Sequence, residues 1–136
     1  MTEISAWFTN YVRFLDVQDH AGAKKIGDYF LCPCCQLPTL EERATYEICQ
    51  VCWWEDDGQD EATADQVTGG PNGRHSLTRA RENFGLHMHM YDPEAAIDVV
   101  HKPSKRRLEM LQYLEDIRSE RAQFSLERFR ELVEAL

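Results

Sequence analysis

Hydrophobic residues near the amino terminus recur at helical spacing. Between residues 3 and 16 they fall every three or four positions, so a helix would align them along one face. We therefore predict an amino-terminal helix that packs against a core. Its apolar stripe consists of Ile4, Trp7, Phe8, Tyr11, Val12 and Leu15.

The second half of the chain contains serines at positions typical of helix N-caps. Ser76, Ser104 and Ser125 each precede a segment with helical periodicity. They predict a helix over about residues 77–88, a longer helix after residue 104 and a short helix after residue 125. The hydrophobic positions behind these predictions are Leu77, Ala80, Phe84 and Met88, then Leu108, Leu111, Leu114 and Ile117, and finally Phe124 and Phe129, which are spaced as a hydrophobic staple.

The segments between these helices follow other patterns. Residues 17–28 are polar and contain Gly22 and Gly27, which indicates a connector. Tyr46 and Ile48 alternate with polar residues, as in a strand with one buried face. Residues 55–74 favour a loop that ends in turn-forming glycines. Asp92-Pro93-Glu94 predicts a further helix start, and Pro103 ends that segment.

Four of the five cysteines form two pairs with metal-ligand spacing. Cys32 and Cys35 make one Cys-x-x-Cys pair, and Cys49 and Cys52 make the other, with thirteen residues between them. Two short strands and a turn would bring the second pair beside the first, as in a zinc ribbon, and four thiolates suit tetrahedral Zn²⁺. The pattern predicts a structural zinc site, with a redox dithiol or an iron–sulfur centre as the alternatives.

This pattern defines the predicted architecture. We expect an α+β fold in which a small zinc-ribbon-like β module is flanked by an N-terminal helix and a C-terminal helical tail. The regions are residues 1–28 for the N-terminal helix and connector, residues 29–90 for the module with its loop and following helix, and residues 91–136 for the C-terminal helical extension. The chain has 136 residues, of which 43% are hydrophobic, so a metal staple would supplement a modest core.

A closed four-cysteine site predicts that the protein is not an enzyme. Four thiolates leave no position for an activated water, and the ion then acts as a folding device worth roughly 10–16 kcal/mol in small fingers. Removal of the metal should therefore unfold at least residues 29–54. Cys34 is left over as a small residue of the loop, with a catalytic nucleophile assisted by His75 as the alternative.

Charge divides the chain into unlike parts. The formal net charge is −9, and residues 41–65 contain nine acids and one base, Arg43. A charge of −8 over this stretch disfavours nucleic acid and favours a basic protein partner. Tryptophan beside these acids would provide an interface anchor. The predicted partner-binding residues are Trp53, Trp54, Glu55, Asp56, Asp57, Asp60 and Glu61.

Other side chains suggest weaker alternatives. His87, His89 and His101 could form a second metal site, and the acids after Trp54 could bind calcium, although their spacing misses the calcium-loop template. A basic cluster at Lys102, Lys105, Arg106 and Arg107 could touch nucleic acid. The chain has no apolar stretch of membrane-spanning length and no signal-peptide pattern, so we expect a cytoplasmic protein without a membrane partner.

Cys32-Pro33-Cys34-Cys35 and Trp54-Glu55-Asp56-Asp57-Gly58 are distinctive motifs within the segment from about Tyr29 to Phe84. With these motifs, the segment resembles the cysteine-rich CPCC family of small bacterial proteins. Gln36 departs from the usual pattern, in which glycine follows Cys-Pro-Cys-Cys, and a positive φ there would cost about 1 kcal/mol. The resemblance implies a zinc-ribbon-like module and supplies no catalytic residues. It rests on Cys32-Pro33-Cys34-Cys35, on residues 39–43, on Tyr46-Glu47-Ile48-Cys49 through Val51-Cys52, on Trp54-Glu55-Asp56-Asp57-Gly58, on residues 69–73, and on Ser76-Leu77 with residues 80–84.

The resemblance and the acidic charge together suggest a function. Similar small acidic bacterial proteins look like immunity proteins, which neutralise a cognate toxin such as a nuclease or an ADP-ribosyltransferase. Here the acidic surface would cover the basic active-site cleft of the toxin. The alternatives are a zinc-ribbon adapter of the transcription or translation machinery and a cysteine-dependent enzyme that uses Cys34. The oligomeric state does not follow from the sequence.

Overall fold

The computed structural model describes residues 17–20, 23–94, 97 and 102–136. The predicted amino-terminal helix lies outside the described residues, and so do His101 and most of the segment that was expected to begin a helix at Asp92 and end at Pro103. No helix in the described part of the chain is both long enough and apolar enough to cross a membrane.

A four-stranded antiparallel sheet precedes and enters the cysteine-bearing region. Strands β1 (Val17–His20), β2 (Ala23–Ile26), β3 (Tyr29–Leu31) and β4 (Pro38–Leu40) pair in sequence order. Ile26 pairs with both Val17 and Tyr29, and Phe30 pairs with Leu40. The loop between β3 and β4 carries the first cysteine pair, so the sheet directly positions half of the site.

The expectation of a connector over residues 17–28 is wrong. This polar stretch forms β1, β2 and a tight turn at Gly27, whose φ of 58° suits glycine. Lys24 is exposed and Lys25 is half-buried, whereas Ile26 is buried. Strand β2 is therefore defined by its backbone pairing more than by a buried face. For this reason, a search for alternating hydrophobic residues could not predict this strand.

The predicted strand with a buried face around Tyr46 and Ile48 is also wrong. The two side chains are 58% and 51% exposed, and Tyr46 has a φ of 64°. The backbone forms an irregular hairpin in which Tyr46 N–H donates to the Asp56 carbonyl over 2.9 Å. A single bridge joins Ile48 to Glu55. We call residues 46–56 the second hairpin, and it presents the second cysteine pair at its tip.

The serines cap the three helices as predicted. The helices are α1 (Leu77–His87), α2 (Lys105–Arg118) and α3 (Leu126–Glu134). The hydroxyl oxygens of Ser76, Ser104 and Ser125 each accept a hydrogen bond from the backbone N–H three residues later. Two single-turn 3-10 helices, Glu61–Thr63 and Gly70–Asn72, lie in the long loop before α1.

The buried faces of α1 and α3 agree with the predicted hydrophobic positions. Leu77, Ala80 and Phe84 of α1 are buried. The staple before α3 is confirmed, because the ring centroids of Phe124 and Phe129 lie 5.3 Å apart.

Helix α2 buries most of the face that its leucine repeat predicted, and Leu108 is the exception. Leu108 is 53% exposed, whereas Arg107, Met110, Leu114 and Ile117 are buried. A three-residue repeat drifts around a helix of 3.6 residues per turn, so positions 108 and 117 lie on opposite sides. The buried face follows spacings of three and four residues instead.

One continuous hydrophobic core joins the cysteine-bearing loops to the carboxy-terminal helices. It contains the cysteines, Trp54 and Phe84 together with Met110, Leu114 and Phe129. The architecture is mixed α+β, as expected. The division into three regions stays a prediction.

Candidate metal centre

The first cysteine pair lies in a tight loop closed by two backbone hydrogen bonds. Gln36 N–H donates to the Cys32 carbonyl over 2.8 Å, and Cys32 N–H donates to the Leu37 carbonyl over 3.0 Å. This closure turns the chain between β3 and β4 and brings Cys32 and Cys35 to the same side of the loop.

The second pair lies in a loop with the same hydrogen-bond pattern. Trp53 N–H donates to the Cys49 carbonyl over 2.9 Å, and Cys49 N–H donates to the Trp54 carbonyl over 2.8 Å. The two loops therefore share one backbone design, although their surrounding sequences differ.

The residue after each cysteine pair adopts a left-handed conformation. Gln36 has a φ of 61° and Trp53 a φ of 75°. The positive φ anticipated at Gln36 is thus present, and Trp53 carries the same strain at the equivalent position. A left-handed backbone costs a residue other than glycine about 1–2 kcal/mol, which the closed loops must offset.

The four cysteine sulfurs converge on one point. All four Sγ atoms lie within 4.8 Å of one another, with 3.6 Å between those of Cys32 and Cys52 and 3.7 Å between those of Cys35 and Cys49. Sulfurs about 2.3 Å from a tetrahedral zinc ion would be about 3.8 Å apart. The four side chains are fully buried. They could hold a metal ion, and their spacing is consistent with zinc.

Burial disfavours the thiolate form of most of these cysteines unless a cation compensates for the charge. Burial raises the pKa of the Cys32, Cys35 and Cys52 thiols well above the usual value. Burial also acts to raise the pKa of Cys49, but hydrogen bonds from the other cysteines and from Thr39 outweigh it and lower that pKa. The Thr39 hydroxyl donates to Cys49 Sγ over 3.1 Å. Several buried thiolates need a compensating cation, so metal binding must displace protons.

Arg107 supports the second loop from helix α2. Its guanidinium donates hydrogen bonds to the carbonyls of Gln50 and Val51 and lies over the Trp53 ring, 4.5 Å from its centroid. Burial lowers its pKa, while the nearby Cys49 and Cys52 act in the opposite direction. From the sequence, we assigned Arg107 to a basic cluster. Its position three residues before the buried Met110, on the same face of the helix, was the one sequence feature that could have indicated its burial.

Cys34 is buried beside the four sulfurs and does not belong to their cluster. Burial raises its pKa, although a hydrogen bond with Cys52 acts to lower it. His75 contacts Asp92 instead, with 3.6 Å between Nε2 and Oδ2, and its Nδ1 lies 3.3 Å from the Asn72 carbonyl. A protonated, buried thiol is a poor nucleophile.

Two of the expected partner-binding residues cannot serve that role. Trp54 and Asp56 are fully buried. The Asp56 carboxylate accepts hydrogen bonds from Arg43 Nε over 2.8 Å and from the N–H groups of Ala44 and Gly58 over 2.7 and 3.2 Å. It organises the loop from within, so its charge does not face a partner.

The remaining acids of this loop also make internal contacts. The Asp57 carboxylate accepts from Thr68 over 3.0 Å, and Asp60 caps the first 3-10 helix. Glu61 forms an ion pair with Arg81 over 2.6 Å. Glu55 is held through its backbone, which exchanges hydrogen bonds of 3.0 and 2.7 Å with the Asn72 amide. The loop is thus a folded scaffold in which most carboxylates have partners.

The structure does not assemble the alternative metal sites from the residues it describes. The rings of His87 and His89 stack 5.6 Å apart, and His89 Nδ1 accepts from Tyr91 N–H. Within the described residues, the four cysteines are the one cluster of three or more Cys, His, Asp or Glu side chains that could hold a metal.

Fold and site together define a small α+β protein built around a four-sulfur metal-binding centre. The chain belongs to the Cysteine-rich CPCC family, whose model matches residues 30–106, more than half of the 136 residues. The match extends past the resembling motifs, which end at Phe84, into the first turn of α2. Neither a curated protein nor a solved structure matches the chain.

Proposed function

We propose that this protein is a zinc-stabilised module that binds another protein and catalyses no reaction. The observation that supports it best is the complete burial of four sulfurs at the spacing of a tetrahedral ion. Cys32, Cys35, Cys49 and Cys52 would hold Zn²⁺, which crosslinks the two loops. A saturated, water-free coordination shell has no site for substrate.

The finer proposal is an immunity protein that neutralises a bacterial toxin, such as a nuclease or an ADP-ribosyltransferase. A net charge of −9 favours association with a basic cleft, because opposite potentials steer encounter. Since the carboxylates at positions 56–61 are mostly engaged internally, exposed acids near the start of the second hairpin, Glu41 and Glu42, are better candidates for direct contact.

The contact between Trp53 and Arg107 limits what Trp53 can do at an interface. Its ring is half-buried beneath Arg107, so one face is already covered. Trp53 would contribute an edge to an interface and could not insert into a partner pocket without displacing Arg107. This geometry favours occlusion by a preformed surface.

Co-expression with the product of each neighbouring gene tests this proposal. We expect one product to arrest growth alone, to become harmless with this protein, and to co-purify with it. Replacing Glu41 and Glu42 by lysine should weaken rescue, whereas Glu120→Lys, an exposed acid after α2, should not. If no neighbouring product is toxic or bound, the immunity proposal fails.

The alternative function, an adapter of the transcription or translation machinery, has a smaller exposed basic surface available than the sequence indicated. Lys102, Lys105 and Arg106 are exposed at the start of α2, but Arg107 is committed to the second loop. In a pull-down, the unmodified protein would capture a ribosomal or polymerase subunit and the Lys105→Glu variant would not. That result would favour the adapter function over the immunity function.

A further inference from the structure

An open groove lies between the second hairpin and the end of helix α3. Its volume is about 480 Å³, which falls within the range of ligand pockets. We call it the hairpin–α3 groove. Its lining includes Glu41, Glu47, Ile48, Arg130, Glu134 and Leu136.

The walls of this groove combine aliphatic and acidic side chains. Ile48 and Leu136 are among the exposed large hydrophobic residues of the described chain. Three carboxylates, those of Glu41, Glu47 and Glu134, line the groove with one cation, Arg130. Glu47 Oε1 accepts a hydrogen bond from Glu41 N–H over 2.9 Å, which holds this carboxylate in place but leaves its charge uncompensated. The lining thus carries a formal charge of −2 beside exposed aliphatic surface.

Arg130 is held in the floor of the groove by other contacts. Its guanidinium carbon lies 3.7 Å from the centroid of the Tyr29 ring, and Nη1 donates to the Pro38 carbonyl over 3.5 Å. Nη2 lies 3.5 Å from Glu134 Oε1. These contacts place the cation beside Glu134, so the net negative charge of the lining lies mainly at Glu41 and Glu47.

The adjoining groove has the opposite charge. It has a volume of about 390 Å³ and is lined by Gln50, Trp53, Lys102, Ser104, Arg107 and Leu136. Gln50 and Leu136 line both grooves. A bound peptide would therefore meet acidic side chains on one side of Gln50 and Leu136 and basic side chains on the other. Its own basic side chains would be repelled from the adjoining groove and attracted to the hairpin–α3 groove.

We propose that the hairpin–α3 groove binds a segment of a partner protein that carries lysine or arginine on both sides of an aliphatic residue. The aliphatic side chain packs against Ile48 and Leu136, and the flanking cations face Glu41, Glu47 and Glu134. This inference rests on the proposed protein-binding function and specifies where and by what chemistry the partner is held. Charge complementarity selects this occupant over an acidic peptide or nucleic acid.

A designed peptide of alternating lysine and leucine tests the groove directly on the full-length, metal-loaded protein. Fluorescence anisotropy would compare Glu134→Lys with Glu131→Lys. Both residues are exposed on α3, both pair with an arginine on that helix, and both changes add the same charge, but Glu131 does not line the groove. We expect Glu134→Lys to weaken binding about fivefold or more and Glu131→Lys less than twofold.

A second pair tests the apolar contact. Ile48→Ser should weaken peptide binding, whereas Val67→Ser removes a similarly exposed aliphatic side chain outside the groove and should not. Unchanged unfolding curves confirm that each variant is folded. If both variants of a pair weaken binding equally, net charge or nonspecific hydrophobic contact governs binding and the proposal is overturned. If neither variant of a pair weakens binding, the groove does not hold the peptide and the proposal is likewise overturned.

The natural partner separates this inference from the proposed function. If a neighbouring gene product co-purifies with the unmodified protein and equally well with Glu134→Lys and Ile48→Ser, the groove assignment is wrong while the binding function stands. If the peptide binds with the expected selectivity but no partner is found, the groove stands and the immunity role fails.

Discussion

The guanidinium of Arg107 donates a hydrogen bond to the carbonyl oxygen of Val51, fifty-six positions earlier in the chain. This contact joins helix α2 to the tip of the second cysteine loop. The same side chain satisfies the Gln50 carbonyl and covers the Trp53 ring. The metal centre and the carboxy-terminal helices should therefore fold as one unit.

Replacement of Arg107 tests this coupling. Arg107→Leu should lower the free energy of unfolding by about 2–4 kcal/mol, because the buried Val51 carbonyl and the part-buried Gln50 carbonyl lose their donors. The control is Arg106→Leu, an exposed neighbour on the same helix, which should change stability by less than about 0.5 kcal/mol. Urea unfolding at saturating metal measures both. Equal stabilities would show that Arg107 does not couple the two parts.

Gln36 offers a stabilising change. Its φ of 61° is unfavourable for any side chain with a Cβ atom, so Gln36→Gly should raise the free energy of unfolding by about 0.5–1 kcal/mol after the entropy of glycine is counted. Gln36→Ala removes the same polar group but keeps the strain. Thermal unfolding should therefore rank glycine above both alanine and glutamine. A glycine variant no more stable than alanine would contradict the strained geometry.

The two adjacent cysteines provide a matched test of the ligand set. Cys35→Ser should abolish stoichiometric metal binding, because it removes one of four converging sulfurs, whereas Cys34→Ser should retain one metal per chain. Metal analysis after gel filtration measures both.

The native Cys34 thiol should also resist alkylation. Its side chain is fully buried, so the reagent cannot reach the sulfur in the folded protein, and burial also raises the pKa of the thiol. Mass spectrometry after brief treatment with iodoacetamide gives the readout. Rapid labelling of Cys34 in the folded protein would instead revive the cysteine-dependent enzyme.

Asp56 should behave as a structural residue. Asp56→Ala leaves Arg43 and two backbone N–H groups without their acceptor, which we expect to cost about 2–4 kcal/mol. Glu42→Ala, in the same region but exposed, should have little effect. Denaturant unfolding distinguishes them. A stable Asp56→Ala protein with impaired partner binding would restore Asp56 to the partner surface.

Local chemistry made much of this fold predictable from the sequence. The caps at Ser76, Ser104 and Ser125 and the staple of Phe124 with Phe129 depend on residues a few positions apart. The convergence of four sulfurs follows from the spacing of the two pairs, and the positive φ at Gln36 follows from the glycine that usually stands there in the family.

Features that depend on long-range contacts were not predictable. The polar strand β2 is defined by backbone pairing with β3, which leaves no hydrophobic alternation. Asp56 looked like a surface acid because its partner Arg43 lies thirteen positions away across a turn. Arg107 looked like part of a basic cluster because the carbonyls that it satisfies lie in a distant loop.

X-ray absorption spectroscopy of the purified protein tests the central claim most directly. We predict one zinc ion per chain, with four sulfur neighbours at about 2.3 Å and no nitrogen or oxygen neighbour. A first shell with fewer than four sulfurs, or with a bound water, would contradict a purely structural metal and would return catalysis to consideration.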